Sequence, residues 1–202
     1  MINKKQVLVI HGGSTHTSYE NYLNTLKNKN PKLEWNLSKR GWKDNLQDRL
    51  GHEYLVYTPQ MPNKTNAQYD EWKIWFEKIA TQLDDDFILI GHSLGGIFVV
   101  KYLSENVLSK KIKKLFLISA PFNSEDLGKE GLLSFERKAD LKNLSKQVSD
   151  IFVYHSKDDP EVPFSHLERY SKDLPGANIR ALDTEGHFLG ESIPGLVEDI
   201  KS

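Results

Sequence analysis

A serine, a pair of aspartates and a histidine stand where they could share one proton-transfer task. Ser93 lies in Gly91-His92-Ser93-Leu94-Gly95, a G-x-S-x-G sequence between two apolar runs, 87–90 and 97–103. When such a sequence joins a strand to a helix, the chain reverses within a few residues and holds the serine in strained backbone at the tip. Gly91 and Gly95 sit two residues either side, where a Cβ would collide with the neighbouring strand or helix, and Gly96 lets the new helix approach the sheet. The hydroxyl then stands above a helix N-terminus, whose dipole and free N–H groups favour developing negative charge. A glycine-rich turn with Ser93 as a helix cap explains the glycines but none of the partners.

A serine hydroxyl is a poor nucleophile at neutral pH and needs a base, which in turn needs an acid to fix its tautomer. With a nucleophile on a strand-to-helix elbow, the chain order is serine, then acid, then histidine. The apolar run 151–155 ends in Ser-Lys-Asp-Asp-Pro-Glu-Val-Pro, offering Asp158 and Asp159, and the last β-like run ends in Asp-Thr-Glu-Gly-His-Phe, offering His187. Asp159 before Pro160 also reads as a helix N-cap with proline at the first helical position. Attack at a carbonyl also needs two oxyanion donors. One is the N–H of Leu94; the other is expected in the loop His11-Gly12-Gly13-Ser14, with Gly13 the first choice and Ser14 the second.

Other chemistries fit less well. The Gly12-Gly13 pair belongs to neither G-x-G-x-x-G nor a P-loop, so no nucleotide cofactor is expected. His11 with His16, or the run Asp84-Asp85-Asp86, offers donors for a metal, but the aspartates precede a strand at the end opposite the functional loops, and no metal is expected. His92 within the elbow and His155 near a strand end are weaker catalytic candidates than His187; His52 and His166 read as surface positions.

The elements that must position these residues alternate in type. Segments 6–10, 53–57, 87–90, 114–118, 151–155 and 178–182 read as strands, several nearly continuous in apolar residues, as strands buried on both faces are. The segments between have helical period; across 67–83, Tyr69, Trp72, Trp75, Phe76, Ile79 and Leu83 recur near i, i+3, i+4 and i+7, which points both tryptophans at the core. Strands alternating with helices give a parallel α/β sheet with its functional loops at the strands' C-terminal ends. Residues 24–51, rich in Lys and Asn and broken by Pro31 and Gly41, read as a long first crossover with a solvated charged face. Residues 120–136 read as a surface loop, with a flap beside the site as the alternative.

Bulk properties narrow the class further. The 202 residues suit one domain. The net charge of -1, with both signs mixed, gives no reason to expect nucleic acid or an acidic lipid surface as partner. The absence of cysteine excludes disulfides and thiolate metal sites and fits a reducing compartment. The apolar run 7–10 is too short for a signal peptide, and no stretch reaches the roughly 18 residues of a membrane span, so a cytoplasmic protein is expected.

Taken in order, Val-Leu-Val-Ile-His-Gly-Gly, Gly-His-Ser-Leu-Gly-Gly, Ser-Lys-Asp-Asp-Pro-Glu-Val-Pro-Phe and Glu-Gly-His-Phe resemble the α/β-hydrolase superfamily. The Met61-Pro62…Trp72 pattern is similar to a narrower group, the small single-domain serine hydrolases typified by retinoblastoma-binding protein 9 and YdeN. That resemblance spans nearly the whole chain. It implies one α/β-hydrolase domain over 1–202: a three-layer α/β/α sandwich of about six parallel strands, in the order 2-1-3-4-5-6, without a separate cap domain. It also implies a triad of Ser93, Asp159 and His187, because the D-x-x-V-P pattern of these proteins falls on Asp159-Pro160-Glu161-Val162-Pro163.

The expected activity is hydrolysis of small acyl esters through an acyl-enzyme, without a cofactor, by a monomer or homodimer. Met61, Trp72, Phe122, Phe164 and Phe188, all near strand ends, are the expected cleft lining, and little cap sequence favours short or medium acyl chains. An amidase, peptidase or thioesterase would use the same groups. A protein-binding module on an inactive hydrolase scaffold is the alternative of a different class.

Overall fold

The structure, a computed structural model, describes residues 4–31, 40–128 and 131–202. Parts of the long first crossover (32–39) and of the 120–136 segment (129–130) lie outside the described residues. Six strands form one sheet: β1 (Lys5–Ile10), β2 (Tyr54–Tyr57), β3 (Phe87–His92), β4 (Ile112–Ile118), β5 (Val148–Ser156) and β6 (Asn178–Leu182). Their order is β2-β1-β3-β4-β5-β6, and every pairing is parallel. The order that the resemblance implied is the order found.

Parallel strands must be covered on both faces, and alternate residues supply each cover. Leu8, Ile10, Leu89, Leu115, Leu117 and Val153 face α3 (Tyr69–Ala80), α4 (Leu94–Glu105), α5 (Lys142–Gln147) and α6 (Ser165–Asp173). Val7, Val9, Ile88, Ile90, Phe116 and Tyr154 face α2 (Trp42–Leu50) and α7 (Leu196–Lys201). Helix α4 is apolar nearly all round, Lys101 apart, and its residues 94–104 are all buried, as befits a helix at the centre of one layer. Helix α1 (Tyr19–Asn28) buries none of its residues.

Two side chains lie otherwise than the sequence suggests. In α3, Tyr69, Trp72 and Phe76 are buried, but Trp75 is 44% exposed. At about 100° of helix per residue, Trp75 stands about 100° round from Phe76 and about 120° from Tyr69, which carries it off the stripe these two share with Trp72. His166, read as a surface position, is fully buried on α6, where its Nδ1 accepts the Phe122 N–H at 2.8 Å and burial lowers its pKa to about 4.

The 24–51 stretch does break where Gly41 falls. Gly41 is the N-cap of α2, and the Asp44 carboxylate accepts its N–H at 3.0 Å. The part of 120–136 that is described packs down rather than standing clear. Leu132 and Phe135 are buried, and Ser124 donates to the Glu136 carboxylate.

Candidate active site

Ser93 sits between β3 and α4 with φ 55° and ψ -125°, a conformation L-residues avoid. The surrounding backbone enforces it. A Cβ on Gly95 would lie 2.4 Å from the Ile10 carbonyl oxygen, and one on Gly91 would lie 2.7 Å from that of Gly95. Strand β1, β3 and the start of α4 therefore approach at distances only glycine permits, and the serine is carried on a rigid point.

The acid and the histidine arrive on the loops after β5 and β6. His187 Nδ1 lies 3.0 Å from both oxygens of Asp159. A carboxylate only accepts, so Nδ1 carries the proton, and in the neutral ring the Nε2 lone pair is left free to act as a base. Asp159 is itself held on every side: Ser119 Oγ donates to Oδ2 at 2.6 Å, and the N–H groups of Glu161 and Val162 donate to Oδ1 at 2.9 and 3.0 Å. Burial raises the Asp159 pKa, but the bonds from His187, Ser119, Val162 and Glu161 outweigh it and hold the value at about 2. The backbone bonds cap a turn, not a helix, because α6 begins only at Ser165. Asp158 is engaged elsewhere, accepting from Ser156 Oγ at 2.5 Å and the Gly186 N–H at 2.8 Å.

Ser93 and His187 line one cleft of about 700 Å³, together with His11, Gly12, Gly13, Lys43, Lys64 and Glu161. In this state no direct hydrogen bond joins the Ser93 and His187 side chains; such bonds often close only around substrate. Gly13 packs beside Leu94, since a Cβ there would lie 3.2 Å from Leu94 Cδ2 and 2.6 Å from the Lys64 carbonyl oxygen. Among the described residues, the N–H groups of Gly13 and Leu94 donate to no protein acceptor, whereas the Ser14 N–H is bound to the Lys64 carbonyl at 2.8 Å. Of the two choices for the second donor, Gly13 has the N–H to spare.

A model of the family described as serine hydrolase matches residues 35–199. The chain belongs to the serine hydrolase family. This serine hydrolase is 27% identical to rat (Rattus norvegicus) Serine hydrolase RBBP9 over 168 residues, covering 80% of this chain and 84% of the relative. It is 26% identical to the YdeN hydrolase of Bacillus subtilis over 192 residues, covering 92% and 86%. The crystal structure of the B. subtilis YdeN product superimposes with a TM-score of 0.73 at 22% identity, covering 98% of this chain and 97% of that one, a likeness of fold.

The five residues expected to line the cleft of this serine hydrolase do something else. Trp72 is fully buried, donates Nε1 to the Pro62 carbonyl at 2.7 Å and packs edge-on against His11. The Met61 N–H donates to His11 Nε2 at 2.8 Å, so His11 Nδ1 carries the proton and donates to the Gly12 carbonyl at 2.6 Å. Met61 and Trp72 thus hold the Gly12-Gly13 loop from behind. Phe122 and Phe164 pack with the α4–α6 layer, and buried Phe188 with the α2–α7 layer. Position near strand ends suggested these residues for the cleft; as large apolar side chains they turn into the core instead.

Sequence reasoning also missed the device that holds His187. Helix α2 grips the loop: Trp42 donates its N–H to the Gly190 carbonyl at 2.8 Å and Nε1 to the Phe188 carbonyl at 3.0 Å, and Asn45 Nδ2 donates to the Glu191 carbonyl at 3.1 Å. His92 Nε2 lies 2.9 Å from the His187 carbonyl, and its Nδ1 lies 3.1 Å from Lys43 Nζ. A carbonyl only accepts, so His92 is the Nε2–H tautomer and Lys43 donates to it. Burial, then the charges of Lys43 and His187, push the His92 pKa well below its usual value, so the ring is neutral. Nothing in the Lys-rich 24–51 stretch signals this, apart from the two tryptophans it carries.

Proposed function

We propose that this serine hydrolase is a carboxylesterase acting on small acyl esters. Ser93 attacks the carbonyl, His187 Nε2 takes its proton and returns it to the leaving alcohol, and Asp159 holds the ring and stabilises its charged form. The N–H groups of Leu94 and Gly13 hold the oxyanion, and water then releases the acyl group. The observation that carries the reading is the Asp159–His187 pair, bonded at 3.0 Å and opening onto the same cleft as a serine held at positive φ.

A second groove of about 400 Å³ meets the first at Gly13 and Ser93 and is walled by Leu94, Pro121, Leu127, Leu132 and Val162. Its modest size and the apolar part of its wall, which is completed by Ser14, Thr15, His16 and Thr25, suit a short or medium acyl chain, with the alcohol portion in the cleft that carries Lys43 and Lys64. Turnover of para-nitrophenyl acetate tests the reading. A burst of nitrophenol equal to the enzyme is expected, and loss of at least about a thousandfold in Ser93→Ala and His187→Ala. Full activity in Ser93→Ala refutes it.

A further inference from the structure

Lys43 presents a positive charge to the cleft and is held in no ion pair among the described residues, the nearby negative charge being that of the adjacent Asp44. Its side chain is half-buried, its Nζ lies 4.8 Å from the centre of the Trp42 ring, and its hydrogen-bond partner is the neutral His92. The neighbouring carboxylate, Asp44, is turned to the Gly41 N–H. Lys64, on the loop after β2, lines the same cleft, and its ammonium donates to the Gln60 amide oxygen at 3.2 Å. Among the described residues neither lysine forms an ion pair. The two charges act on the same surroundings, since both depress the pKa of His11, after burial. A partly desolvated cation without an ion-pair partner is costly, and a ligand anion placed there recovers the cost.

The cleft is polarised. Its carboxylates, Glu161 and Glu185, stand on the loops after β5 and β6, while Lys64 follows β2 at the other edge of the sheet and Lys43 opens α2, which packs against β2. Attraction from Asp44 and repulsion from Lys64 are the charge effects on Lys43 after burial.

We propose that Lys43 and Lys64 form a carboxylate-binding subsite, so that the preferred substrates are small esters carrying a free carboxylate near the scissile bond. This rests on the esterase reading above and names its substrate class. A carboxylate accepting from both ammoniums would anchor the non-reacting part of the ester while Ser93 meets the carbonyl.

The test compares charged esters with neutral partners of similar shape. For a carboxylate on the acyl side, para-nitrophenyl hemiglutarate is set against para-nitrophenyl valerate. For one on the alcohol side, para-acetoxybenzoate is set against its methyl ester. In the wild type, kcat/KM for at least one charged ester should exceed its partner by about tenfold, the scale of one charge-assisted contact. Lys43→Met and Lys64→Met should each reduce that ratio, with Lys64, more exposed, the smaller effect, and arginine at either position should keep most of it. Lys113→Met, at the opposite end of the sheet, should leave the ratio alone. A wild-type ratio near one on both sides, or a preference that survives both methionine variants, overturns the proposal. Fluorophosphonate labelling of the wild type separates the two levels. A labelled enzyme without preference sinks only the subsite; an unlabelled folded enzyme sinks the esterase reading itself.

Discussion

His92 Nε2–H donates to the carbonyl of His187 at 2.9 Å, and the two rings lie 5.0 Å apart. The residue before the candidate nucleophile therefore holds the backbone of the candidate base. His92→Phe keeps the bulk and loses the donor. It should lower kcat for para-nitrophenyl acetate by about ten- to a hundredfold with little change in KM, the effect of a base displaced by a fraction of an ångström. His92→Gln, which retains an N–H, should recover part of the loss. Equal kcat in His92→Phe and wild type would remove His92 from this role.

The adjacent aspartates should separate cleanly. Asp159→Asn should lower kcat by about 10⁴-fold, because the amide cannot hold the Nδ1–H tautomer. Asp158→Asn should cost far less, since Asp158 braces Ser156 and Gly186 and does not touch His187. If kinetic assays find Asp158→Asn the more damaging, the acid is misassigned.

Asp159 also sets an acid limit on stability. Its folded pKa of about 2 lies below the ordinary 3.8. A depressed carboxylate stabilises the fold above the ordinary value and loses that contribution as pH falls towards the folded one. The melting temperature should fall between about pH 4 and pH 2, and Ser119→Ala, which removes one of the bonds lowering the pKa, should flatten that fall. Urea or thermal melts across this range read it directly.

Gly13→Ala should remove oxyanion binding. The added Cβ would lie 2.6 Å from the Lys64 carbonyl oxygen and 3.3 Å from Trp72, so the loop must move. A loss of about 10²- to 10³-fold in kcat is expected, the cost of one oxyanion donor. Retention of wild-type kcat would place the second donor elsewhere.

The charge on Lys43 gives a pH signature in the ratio of charged to neutral ester. Burial lowers the Lys43 pKa to about 8, with attraction from Asp44 and repulsion from Lys64 opposing each other. The other titratable groups near it, His11 and His92, are both pushed below the ordinary histidine value, chiefly by burial, and stay neutral. The charge is present below about pH 8 and lost above it, so the preference for the carboxylate ester should decline from about pH 7 to 9. Dividing by the neutral ester cancels titration of the catalytic machinery. A ratio constant over that range would contradict the role given to Lys43.

The six strands and the elbow were legible because each rests on local pattern, apolar runs and glycines at fixed offsets; the strand order came with the resemblance to the α/β-hydrolase superfamily. His187 followed from chain order, which left Asp158 and Asp159 both open; the resemblance of Asp159-Pro160-Glu161-Val162-Pro163 to the D-x-x-V-P pattern favoured Asp159. What was not legible depends on where distant segments meet. Trp72 and Met61 sit near a strand end, as cleft residues do, but the side chains turn behind the His11-Gly13 loop. Trp42 and His92 reach the His187 loop across the sheet's end, through side-chain bonds that join residues 95 apart (His92 to His187) and 146 apart (Trp42 to Phe188). Ser119, whose hydroxyl completes the shell of Asp159, carries φ 43° and follows β4, an elbow-like position with no motif to announce it.

The measurement closest to the central claim is the intact mass of the protein after reaction with a fluorophosphonate, followed by peptide mapping. One adduct on Ser93 is expected in the wild type, none in Ser93→Ala, and slow labelling in His187→Ala. A folded wild type that stays unmodified, or an adduct that persists in Ser93→Ala, contradicts a nucleophile at Ser93 activated by the Asp159–His187 pair.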